Sequence, residues 1–150
     1  MLQLPAQASA PAANYVPYTQ VDDMVYISGQ VPVKDGKMMF VVSRGGKCGK
    51  EYSVEEGYEC AKLCAVNLTP ALPQIKQACG GDLSRVERIV KLVGFVNAAP
   101  DFQDHPKVVN GASDLMVAAF QDKGRHARRS AVGVGSLPFN VAVSMSSCRR

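Results

Sequence analysis

The segment SVEEGYECAKLCAVNL, residues 53–68, restricts the possible folds of this chain more than any other. Ser53 and Glu56 have the spacing of a capping box: the N-cap hydroxyl accepts the N3 backbone N–H, and the N3 carboxylate accepts the N-cap N–H. Apolar or small residues then recur at Val54, Tyr58, Ala61, Ala65, Leu68, Leu72 and Ile75. Steps of three and four place them on one stripe of a helix. Such a helix draws most of its stability from a second layer that covers the stripe. Pro70 and Pro73 interrupt the run, and an interior proline costs about 3 kcal/mol. A kink or break is therefore predicted at Asn67–Thr69, with Thr69 capping a new segment that has Pro70 at its first position. Gly80-Gly81 end it.

The remaining segments supply that second layer. Tyr15–Gln20 reads as a proline-interrupted edge strand. Asp22-Asp23 make a turn, and Met24–Val31 is a strand rich in β-branched and aromatic residues. Lys34–Lys37 has Asp-Gly at its centre, a hairpin signal, and Met38–Val42 returns as a third strand. Residues 43–52 form a glycine-rich loop. Val86–Ala98 is a long strand. Lys107–Phe120 is a second amphipathic helix, with Val108, Ala112, Leu115 and Ala119 on its stripe. Residues 129–137 and 141–147 are two final strands. The order β-β-β-α-β-α-β-β predicts a two-layer α+β domain, with a mixed sheet of about six strands and both helices on one face. The other face, expected to carry Val25, Ile27, Val132 and Val134, is then left bare, which predicts oligomerisation.

The 150 residues suit one domain, and 47% hydrophobic with 20% charged residues suits a packed core. No apolar run approaches the ~18–20 residues of a membrane helix. Residues 1–13, without Lys or Arg, read as a flexible lead-in and as neither a signal nor a transit peptide; the domain is assigned to residues 14–148. Five cysteines, Cys48, Cys60, Cys64, Cys79 and Cys148, form no CxxC and no zinc-type spacing. They are expected to be small buried thiols in a reducing compartment. GKCGKE lacks the rest of a phosphate loop. No metal and no cofactor is expected. The net charge is +4, with Lys123, Arg125, Arg128, Arg129, Arg149 and Arg150 late in the chain. Such a segment suits an acidic metabolite or a nucleic acid; a solvated face plus a tail is the simpler reading.

Five pieces in order resemble one family: YVPYTQ (15–20), MVYISGQVP (24–32), SVEEGYECAKLCAVNL (53–68), DLSRVERIVKLVGFVNAAPDF (82–102) and RSAVGVGSLP (129–138). Together they resemble the reactive intermediate deaminase A family (RidA, also called YjgF; older names are endoribonuclease L-PSP and translation inhibitor). GFVNAAPDF, NGASDL and GRHAR mark a divergent side branch. The resemblance implies a chorismate-mutase-like fold, a homotrimer with intersubunit clefts, and a cytoplasmic protein, the mitochondrion being left open. It also implies a small carboxylate ligand, with no membrane and no nucleic acid as partner. In the archetype a 2-imino or enamino acid is hydrolysed to a 2-keto acid and ammonia.

On this resemblance Arg129 is the carboxylate clamp, a role its planar fork suits. Tyr18 lines the cleft and its phenol could bond the ligand. Gly29, in Ser28-Gly29-Gln30, lets another backbone approach, and Ala131 stands beside the ligand. Phe95 and Phe102 could wall the cleft, although packing in the core is the default for both. The acid that positions the attacking water falls on Ser144, counted from Leu137-Pro138. A serine can orient water but is a poor base. Ala131 stands where the archetype often has Cys, and Pro100 where it has Asn. The clamp thus survives better than the catalytic apparatus. Two rivals stand beside an enamine/imine deaminase. One is a non-catalytic carboxylate-binding trimer. The other is a ribonuclease, which would need an acid–base pair such as His105 and His126.

Overall fold

The computed structural model describes residues 13–41, 46–68, 83–125 and 128–150. Strands β1 (Tyr18–Val21) and β2 (Met24–Gln30) are antiparallel across the Asp22-Asp23 turn. β3 (Val33–Lys34) and β4 (Lys37–Met38) form a separate two-stranded ribbon. Asp35 and Gly36 at its tip both have positive φ, 50° and 74°, the signature of a type I′ turn and the reason for Asp-Gly there. Helix α1 (Val54–Leu68) is followed by β5 (Ile89–Asn97), helix α2 (His105–Phe120), β6 (Arg128–Val134) and β7 (Val143–Arg149). The main sheet has the order β1-β2-β7-β5-β6. Only β5 and β6 are parallel. Parallel neighbours need a crossover, and α2 supplies it. That connection lays α2 beside the β6 edge.

The capping box forms: Ser53 N–H donates to Glu56 Oε2 at 2.8 Å and Glu56 N–H donates to Ser53 Oγ at 3.2 Å. α1 ends at Leu68 within the described residues. The expectations for Thr69, Pro70, Pro73, Cys79 and Gly80-Gly81 concern residues outside these ranges, as do those for His126 and for most of the lead-in. The first strand starts at Tyr18 rather than Tyr15. The predicted strand Met38–Val42 is cut short, because Phe40 has a positive φ of 53° and only Val41 bridges onward, to Val141. The main sheet therefore has five strands, with the ribbon apart.

Both helices cover one face. Cys60, Ala61, Cys64, Ala65 and Leu68 of α1 and Val108, Val109, Ala112, Leu115 and Met116 of α2 are buried, while Ala119, expected on the stripe, is exposed. The helices meet at Gly111, where a Cβ would run into the Tyr58 carbonyl. From the sheet come Ile89, Leu92, Val96, Val143 and Met145, and also Val25 and Ile27, at 6% and 4% exposure. The last two correct the sequence reading. β2 alternates the other way, so Tyr26 and not Val25 faces the open side. There it joins Phe95 and Val132, exposed at 48%, 38% and 44% respectively. Ser130, Ser144, Ser146 and Val134 share that side by register.

Candidate functional site

Strand alternation decides which β6 residues can meet α2. Arg129, Ala131 and Gly133 pair in parallel register with Leu92, Gly94 and Val96. A Cβ on Gly94 would meet Val109 of α2, and Leu92 and Val96 are buried. The three β6 residues therefore share the helix-covered face. At the sheet edge Arg129 reaches the flank of α2. Its Nη1 donates to Asn110 Oδ1 at 2.6 Å and to Ser113 Oγ at 3.1 Å, and Nη2 donates to the Pro106 carbonyl at 3.5 Å, a long and weak bond. Asn110 and Ser113 are one helical turn apart on one flank, which is why both reach a single guanidinium. All three acceptors are neutral. They orient the side chain without cancelling its charge, and no carboxylate pairs with Arg129 among the described residues. The side chain remains exposed.

Beyond Arg129 the same face narrows to a methyl and a hydrogen. Ala131 is half-buried against the core. At Gly133 a Cβ would collide with His105 Nε2. The His105 ring stands edge-on to Phe102, with centroids 5.2 Å apart and planes at 85°.

The other expected site residues lie elsewhere. Tyr18 is on β1, the opposite edge of the sheet, half-buried against the core. Three strands separate it from β6, which at ~4.8 Å per strand spacing puts it about 19 Å from Arg129. Ser144 pairs with Phe95 in register and so lies on the open face. Its hydroxyl donates to the Gln30 carbonyl at 3.3 Å. Gly29 is beside it: a Cβ there would sit 3.6 Å from Ser144 Oγ, an ordinary contact. One chain thus brings Arg129 and Ala131 together, and Gly29 and Ser144 together, on opposite faces. Tyr18 joins neither group.

Sequence reasoning gave no role to Asn110, Ser113 or Lys47. The first two could have been found as polar residues three apart beside an apolar stripe. Lys47 Nζ donates to Asn97 Oδ1 at 3.0 Å and to the carbonyls of Ala98 and Gly135 at 3.2 and 2.7 Å. An ammonium has three donors, so these bonds spend it as a brace between the 46–52 loop and the ends of β5 and β6. Nothing local in the sequence signals this long-range contact. Two of the buried thiols are held in the protonated form. Burial, with Cys60 and Glu56 adding to it, pushes the Cys48 thiol up to about 12. Burial first, and then a hydrogen bond with Cys60, raises Cys64 well above the usual thiol range. Among the described residues no three metal-ligating side chains come together, and no helix is long and apolar enough to cross a membrane.

The family described as "YjgF/chorismate_mutase-like, putative endoribonuclease" matches residues 1–145. This chain belongs to the YjgF/RidA family. Within the family it is 43% identical over 148 residues to Protein TCP17 of Trypanosoma cruzi, a match that covers 97% of this chain and 86% of that protein. A crystal structure of a protein of unknown function from Agrobacterium tumefaciens is 39% identical, with a TM-score of 0.85, and covers 99% of this chain and 86% of its own. A Shewanella oneidensis protein described as an endoribonuclease of the same provisional kind is 35% identical, with a TM-score of 0.86, and covers 99% of this chain and 92% of its own. The YjgF/RidA fold, two helices on a mixed and mostly antiparallel sheet, is the architecture found here.

Proposed function

We propose that this YjgF/RidA protein binds a small 2-imino or 2-keto carboxylate through Arg129, in a cleft between copies of the chain, and hydrolyses the imine to a 2-keto acid and ammonia. One observation carries the reading: an exposed guanidinium, held in place by neutral acceptors, that has no carboxylate partner among the described residues. A clamp already paired with an acid would have to lose that acid before it could bind a ligand. This one needs only to keep its orientation, and its fork can take both oxygens of a carboxylate.

The cleft is assigned to an interface because the proposed ligand residues are divided between the two sheet edges and the two faces. Tyr18 at one edge can approach Arg129 at the other only from a second chain. We assign the open face, with Tyr26, Phe95 and Val132, to contacts between copies in a homotrimer. Gly29 has room beside it for a neighbouring chain, and Ala131 forms the floor next to the clamp.

Ser144 is proposed to orient the water. Its proton already goes to Gln30, so its oxygen offers lone pairs but no stronger basicity. That observation favours a second reading, a trimer that binds the carboxylate without turning it over. The test for both is titration with 2-oxobutyrate. Arg129→Ala should weaken binding by ~10–150-fold, the equivalent of a charged hydrogen bond of ~1.5–3 kcal/mol. Undiminished binding by that variant would sink the reading. Arg129-dependent binding without ammonia release from an imino acid would favour the second. RNA cleavage by highly purified protein, independent of Arg129, would favour the nuclease named in the family description.

A further inference from the structure

Imine hydrolysis needs a group that moves a proton, and the family's acid position holds a serine whose own proton is spent. Three other candidates among the described residues are spent as well. Burial raises the thiols of Cys48 and Cys64. Tyr58 donates its phenolic proton to Asp114 at 2.9 Å, and that bond raises its pKa. The imidazole of His105 is different.

We propose that His105 is the proton-transfer residue of the Arg129 site; this rests on the carboxylate-binding reading above. Three observations carry it. The first is position. His105 Nε2 stands over Gly133, on the face of β6 that also presents Arg129 and Ala131. The Arg129 Nη2 bond ends on the carbonyl of Pro106, the next residue of α2. Clamp and imidazole therefore both touch the first turn of one helix and the same face of one strand. The second is availability. His105 is half-buried, its ring is held by Phe102, and no hydrogen-bond partner of its nitrogens is found among the described residues. The third is space. Between Arg129 and Gly133 this face of β6 presents only the methyl of Ala131, and the missing Cβ of Gly133 is what admits the ring.

A carboxylate held on Arg129 then points its imine along β6 toward His105. Water adds through oxygen to the C=N carbon, and the imidazole takes the proton that this water sheds. The imidazolium returns it to the nitrogen, giving the carbinolamine; the imidazole then takes the carbinolamine's hydroxyl proton and passes it to the same nitrogen as the C–N bond breaks, so that ammonia and the 2-keto acid leave. His105 ends in its starting state, so no further reactant is needed. The charged groups nearby are Asp101 and Asp104 ahead of α2, Lys107 (bridged to Asp104 at 3.0 Å), Lys47 from its loop and Arg129 from β6.

The experiment compares wild type, His105→Gln, Gly133→Ala and Arg129→Ala by two readouts. One is ammonia released, above the spontaneous rate, from an imino acid made in situ by an amino-acid oxidase. The other is the Kd for 2-oxobutyrate, with thermal melting as the check on folding. His105→Gln should lower kcat by ~100-fold and leave Kd within about two-fold, because it spares the clamp. Gly133→Ala, which displaces the ring and keeps the imidazole, should also lower kcat. Wild-type turnover in His105→Gln would overturn the inference while Arg129-dependent binding kept the reading. Binding without any turnover in wild type would overturn it too, again sparing the clamp. Wild-type binding and turnover in Arg129→Ala would overturn the reading itself and the inference with it.

Discussion

The two faces of the sheet are built from the same strands and differ in almost everything else. On the helix-covered face Leu92, Val96, Val143 and Met145 are fully buried. At the β6 edge of this face stand Arg129 and the α2 residues that hold it. On the open face Tyr26, Phe95 and Val132 remain exposed among a row of serines. A β-strand sends consecutive residues to opposite sides, so Arg129 and Ser144 are separated by a layer of backbone although both belong to the proposed site. The difference teaches that one face is finished within the chain and the other is not. The proposed site therefore calls for a second copy.

The comparison can be broken most severely at the open face. Phe95→Asp combined with Val132→Asp should dissociate the proposed trimer to single chains in sedimentation velocity, with little change in far-ultraviolet circular dichroism. An unchanged sedimentation coefficient would place the interface elsewhere. Next, Leu92→Ala should cost about 3 kcal/mol in urea unfolding, as for a fully buried leucine that leaves a cavity. Phe95→Ala in the dissociated background should cost under about 1 kcal/mol. Equal costs would mean that the open face is not open.

A smaller effect comes from the buried thiols. The folded Cys48 thiol holds its proton to about pH 12, against an ordinary 9.0. The unfolded chain therefore loses this proton first, and folding stability falls as pH rises above about 9. Unfolding curves at pH 8 and pH 10 should show the fall, and Cys48→Ala should reduce it in part, because Cys64 is shifted the same way. The smallest effect is Ser144→Ala, which removes one half-buried bond to Gln30. It should cost about 1 kcal/mol or less and leave 2-oxobutyrate affinity unchanged, since the serine is proposed to orient water and not to hold the carboxylate.

Several features were legible from residues alone. The capping box at Ser53 and Glu56, the Asp-Gly turn, the two amphipathic helices and the α+β order are local patterns, and the fold has all of them. The β2 face assignment was not legible. Val25 and Tyr26 are both good strand residues, and only pairing with β7 decides which of them turns inward. The early end of the third strand depends on a positive φ at Phe40 that no side-chain pattern announces. Arg129 was visible as a candidate through RSAVGVGSLP. Its holders Asn110 and Ser113 were not, because their role depends on α2 crossing back beside β6.

The sequence by itself therefore determined the elements and their order, since these follow from hydrophobic period and turn chemistry; Arg129 came forward through the family resemblance. Only the tertiary structure decided which residues share a face. It placed Arg129 against two neutral acceptors, turned Ser144 to the far side, spent Lys47 as a brace and brought His105 over Gly133. The physical reason is that register and crossover set these neighbours across 16 to 88 residues of chain, distances over which a local pattern carries no information.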